Sequence, residues 1–161
     1  MTKAFLSLCL ITTLSACATT TPSTTSQAML LSSLTMLYEQ HVNTLDNQRK
    51  EETDQSEQAL QKKFLEYNLS KRLKGRRTLS SEEAKALSKK YATALAEQRE
   101  TIHTTYNEKL KRLDSIYQSL VRLVTENASY ISGYKQNTNQ AKQLQADYQD
   151  KLEAMHALLT E

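Results

Sequence analysis

Two four-residue stretches, Glu100-Thr101-Ile102-His103 and Glu153-Ala154-Met155-His156, set a carboxylate and an imidazole three residues apart. On a helix that spacing puts both side chains on one face, the arrangement by which carboxylate-bridged di-iron bundles hold their metals. Glu100, His103, Glu153 and His156 are therefore the candidate metal ligands, provided that the fold brings the two pairs to one height. A second chemistry belongs to Lys71, Arg72, Lys74, Arg76 and Arg77, the densest basic cluster of the chain. Such a cluster suits an anionic partner: an acidic protein surface, cell-wall carboxylates or lipid head groups. It equally suits a helix C-terminus, where cations complement the helix dipole. Tyr91, Tyr106, Tyr117, Tyr130, Tyr134 and Tyr148 could stack on sugars, but they lie at or beside core positions, where a ring packs and its hydroxyl reaches the rim. No Ser, His and Asp arrangement has a recognisable spacing, and two glycines leave no phosphate-cradling loop. The expectation is a protein that is not an enzyme and carries no cofactor.

The elements that must position these residues are helical. The 161 residues contain two glycines and one proline, too few turn formers for a sheet protein of this size. Leu30, Leu34, Leu37, His41 or Val42, Leu45, Leu60, Phe64, Tyr67 and Leu73 recur at helical spacing and define a first helix that Gly75 can end. Ser80 followed by Glu83 has the form of a capping box. It opens a second helix through Leu87, Tyr91, Leu95, Ile102, Tyr106, Leu110, Leu113, Tyr117, Leu120 and Val124. After Gly133 a third helix carries Ala141, Leu144, Tyr148, Leu152, Met155 and Leu158 on one face.

Facing residues of an antiparallel hairpin have numbers that add to a constant, about 154 for a turn near Arg77. That register pairs Leu34 with Leu120, Leu37 with Tyr117, Val42 with Leu113, Phe64 with Tyr91 and Tyr67 with Leu87. It also aligns two gaps: 46–58 has no aliphatic or aromatic side chain, and the facing 97–105 has only Ile102. Both helices thus have a polar waist at one height. The same reasoning around Gly133 pairs Tyr148 with Leu120, Met155 with Leu113 and Leu158 with Leu110, so the third helix ends where the waist begins. The expected fold is all-α: a long antiparallel hairpin with a third helix on its membrane-proximal half. The base comprises 28–45, 110–131 and 134–159, and the arm 59–95. The alternative is a compact bundle in which the first helix breaks inside 46–58, because the Asp46, Lys50 and Asp54 charge pairs support a solvated helix only modestly. In this register His103 lies about nine residues, roughly 13 Å, from the height of His156, so one metal cannot use both. His41 aligns with Leu113 and not with His103, and is expected to add no ligand there.

At the N-terminus Lys3 precedes an apolar stretch, 4–14, too short to span a bilayer but suited to a secretory signal. Leu14-Ser15-Ala16-Cys17 follows at once. This tetrapeptide resembles the lipobox of bacterial lipoproteins. The resemblance covers residues 1–18 and implies a signal peptide at 1–16, a lipidated Cys17, and outer-membrane sorting because Ala18, not aspartate, follows the cysteine. Acyl chains there add roughly 0.8 kcal/mol of membrane affinity per buried methylene. Cys9 would leave with the signal, so thiol chemistry is not expected. Residues 17–27, rich in Thr and Ser with the single proline, are expected to form a flexible tether, and 28–161 the helical domain.

The chain carries a net charge of only +3, which argues against nucleic acid as a partner. The expected function is that of an outer-membrane lipoprotein facing the periplasm or the cell surface, acting as a non-enzymatic spacer or adaptor. It is held to the membrane by its lipid and docks to an envelope protein or the cell-wall polymer, as accessories of secretion, conjugation or exclusion systems do. The alternative is a ligand- or metal-binding bundle using the waist, Glu100 and His103.

Overall fold

The computed structural model describes residues 22–75, 79–131 and 139–160. They form three helices: α1 (Pro22–Gly75), α2 (Ser81–Ile131) and α3 (Asn139–Ala157). α1 and α2 run antiparallel as a hairpin, and α3 packs on α2. The all-α expectation holds.

α1 is a single helix of 54 residues, about 81 Å at 1.5 Å per residue, and it crosses the waist without a break. The compact alternative is thereby excluded. Arg49 and Lys50 both pair with Asp46, the latter at 2.6 Å. Threonine hydroxyls donate to the carbonyl one turn back, as Thr53 does to Arg49 at 2.8 Å. The charge pairs, roughly a few tenths of a kcal/mol each, help this polar segment stay helical.

α1 starts six residues before position 28, so the tether expected over 17–27 is shortened at its C-terminal end. Pro22 is the first helical residue, where its fixed φ and missing N–H cost nothing. Gln27 then ties the first turns to α2, its Nε2 donating to the Thr125 carbonyl at 3.3 Å. α3 starts at Asn139; the segment 132–138, with Gly133 and Tyr134, lies outside the described residues. α2 leaves helical geometry at Asn127 (φ −135°, ψ 21°), about one turn before its end at Ile131.

The capping box is formed as read: the Ser80 amide donates to Glu83 Oε2 at 2.9 Å, and the Glu83 amide donates to Ser80 Oγ at 3.2 Å. It fixes where α2 begins, and so the register of the hairpin. Phe64 and Tyr91 meet edge to face at 4.8 Å between centroids, as that register requires. Tyr117 stacks on Tyr38 at 4.3 Å, in the same register, with Leu37 packed beside them on the core. Tyr67 and Leu73, assigned to the seam, are instead 50% and 78% exposed.

The core lies in the base. Leu34 and Leu45 of α1, Leu113, Leu120 and Val124 of α2, and Met155 with Leu158 at the end of α3 are fully buried and belong to one cluster. Each contributes about 1.5–3 kcal/mol through removal from water. Beyond the end of α3 only two helices remain. Of the arm's apolar residues, only Leu60 at its root is buried.

Candidate functional site

The arm is polar where it leaves the base. At the waist Ser56 Oγ donates to Gln98 Oε1 at 2.9 Å, and Arg99 Nε donates to Glu57 Oε1 at 2.6 Å. The Arg99 hydrogen bond holds the Glu57 carboxyl below its ordinary range. These side chains link the two helices where the apolar seam thins to Ile102, which is buried in the core cluster.

Past the waist α1 presents a stripe of leucines to solvent: Leu65 and Leu69, each 57% exposed, and Leu73. Their spacing of four residues aligns them on one face. That face borders a groove of about 420 Å³ between α1 and α2, lined by Phe64, Leu65, Asn68, Arg72, Leu79 and Leu87 among others. Asn68 Oδ1 is buried in the arm and finds no hydrogen-bond partner among the described residues. Leaving a buried acceptor unpaired costs about 1–3 kcal/mol, and a donor brought by a bound molecule would relieve it.

The charge of the chain is segregated along the same axis. Residues 59–95 contain ten Lys or Arg and three Glu, a net of +7, whereas the rest of the chain has eleven basic and fifteen acidic side chains, a net of −4. Lys71 and Arg72 are exposed on α1, and the Lys71 ammonium lies 5.9 Å from the centre of the Tyr67 ring. The side chain of Lys74 and the whole of Arg76 and Arg77 lie outside the described residues, as does Cys17. No family model, curated protein or solved structure matches this chain. The arm combines an apolar stripe, a groove with an unpaired acceptor among the described residues, and a positive surround.

The two Glu-x-x-His pairs are not brought together. Glu100 is exposed, and His103 Nδ1 bonds Asn107 Nδ2 of its own helix at 2.9 Å. Glu153 accepts a hydrogen bond from Gln149 at 3.2 Å. Among the described residues no three His, Cys, Asp or Glu side chains gather as metal ligands. His156 has a partner that the sequence reading missed, for it meets His41 across the base, Nδ1 to Nε2 at 3.1 Å. His41 is 3% exposed and is the one buried polar residue of the described core. Its burial holds its imidazole below the ordinary histidine range, opposed by a hydrogen bond to the Leu37 carbonyl and aided by the charge of His156. The signal for this pair was present: Val42 and Met155 both face Leu113 in the two expected registers, which brings His41 and His156 to one height.

Proposed function

We propose that this chain is a non-enzymatic, lipid-anchored envelope protein whose hairpin arm docks an apolar, acid-rimmed protein surface. The observation that carries this reading is the exposed stripe of Leu65, Leu69 and Leu73 within a segment of net charge +7. In the base a third helix covers the hairpin; on the arm that place is open, and a partner helix would complete the bundle. Leucines favour a protein over a polyanion, which would need only the cations. A second copy docked arm to arm would bring two like-charged segments together, so a different partner with acidic residues fits better.

Among the described residues no helix is long and apolar enough to cross a membrane. The lipobox-like segment ending in Cys17 supplies the proposed attachment, with the outer membrane as location. Changing Cys17→Ala should release the protein from the membrane fraction of the cell; retention in that fraction would refute the lipid anchor.

Photo-crosslinking in cells tests the docking. A crosslinker at Leu69 should capture a discrete protein, and one at Asp150 on the base should not. Leu65→Ser, Leu69→Ser and Leu73→Ser together should abolish that capture without loss of helicity. Capture of only lipid, wall polymer or a second copy from Leu69 would overturn the proposed partner.

A further inference from the structure

The His41–His156 contact lies in the base, apart from the arm, and its geometry is that of half a metal site. His41 Nδ1 sits 2.8 Å from the Leu37 carbonyl, one turn back on α1. A carbonyl only accepts, so Nδ1 carries the ring proton and Nε2 of the neutral ring presents its lone pair. This is the hydrogen bond that usually orients a metal-bound imidazole, because it fixes the tautomer and raises the basicity of the coordinating nitrogen. A metal ligand must also be unprotonated, and the buried setting of His41 favours its neutral form.

The distance to His156 fits a shared cation. Bonds of about 2.0–2.1 Å spread by 90° to 110° place two coordinating nitrogens about 2.8–3.4 Å apart. His41 Nε2 and His156 Nδ1 are 3.1 Å apart, with ring planes tilted by 47°. His156 is exposed, so its ring can turn toward the ion and water can fill the remaining positions. Magnesium and calcium prefer oxygen ligands, whereas imidazole suits copper, zinc and nickel, and copper(II) binds a given nitrogen site most tightly.

We propose that His41 and His156 form a two-imidazole site for a late first-row transition cation, copper(II) foremost, joining α1 to α3. On binding, the proton that His156 Nδ1 donates to His41 Nε2 moves by way of water to His156 Nε2, so that both facing nitrogens offer lone pairs and two coordinate bonds replace the hydrogen bond between the rings. It would add to a junction that, among the described residues, also holds a hydrogen bond from Gln48 Nε2 to the Leu159 carbonyl at 3.0 Å. This inference does not depend on what the arm binds.

The test is copper(II) added to the metal-free full chain in detergent, with free thiols alkylated, followed by electron paramagnetic resonance and thermal unfolding. The expected result is one copper per chain, with hyperfine coupling from two imidazole nitrogens and a raised unfolding midpoint. His156→Gln, a change at an exposed position that should leave the fold intact, should lower the affinity at least tenfold. His103→Gln should leave it unchanged. Coupling from a single imidazole, equal affinity in the His156→Gln protein, or no saturable binding would each overturn the proposal.

Discussion

Leu113→Ala should lower the stability of the protein by about 3 kcal/mol, near the middle of the range for leucines in closed cores. Leu113 is fully buried in the cluster to which all three helical segments contribute, through Leu45 of α1 and Met155 of α3. Truncation removes the transfer energy of its methyl groups and leaves a cavity that three helices cannot collapse together. For a chain of this size the loss corresponds to a fall of roughly 10 °C in the unfolding midpoint. Leu69→Ala is the matched control, since the same chemical change at an exposed position should shift stability by no more than about 0.5 kcal/mol. Scanning calorimetry of both variants would decide the matter. Equal losses would mean that Leu69 is packed in solution and that the arm's leucine face is not free.

Gln55→Pro should have an effect of similar size through the backbone. Gln55 is exposed in the waist of α1, and its Nε2 donates to Glu51 Oε1 of the same helix at 3.1 Å. Proline there removes the amide that bonds one turn back and drives its ring against the carbonyl of Glu51, at a cost of about 3 kcal/mol. The base and the arm each retain their own contacts, so the expected product is a kinked molecule with two folded parts. Spin labels placed one on the base and one on the arm should show a broadened distance distribution in the variant and a narrow one in the parent. Equal distributions would show that α1 is not a continuous strut across the waist.

The long-range architecture was legible because several weak signals agreed on one register. Phe64 with Tyr91, the Ser80 and Glu83 box, and the two aligned gaps each point to the same hairpin turn, and the structure keeps all three. What was not legible arose where the chain offers two stripes at once. Between Leu60 and Leu73 α1 carries one apolar row through Phe64 and another through Leu65, Leu69 and Leu73. A helix of 3.6 residues per turn drifts against a strict heptad, so position alone does not say which row meets α2. Tyr67 and Leu73 therefore lie in solvent although their spacing fits the seam. The start of α1 was placed late because threonine and serine are weak helix formers, yet contact with α2 at Gln27 and the proline at the first position outweigh that propensity. The histidine pair is less legible because it spans two registers: His41 aligns with Leu113 on α2, and only through Leu113 with Met155 and His156 on α3.

The end of α3 at the waist has a mechanical meaning. A rod of three joined helices resists bending more than a rod of two, so compliance is concentrated in roughly the last 40 Å of the hairpin, from Gln48, which bonds Leu159, to Gly75. Thermal bending then leaves the base nearly still and lets the tip sweep a cone. The leucine stripe and its cations ride on that moving end, and the volume they search is set by the taper of the molecule as well as by its length.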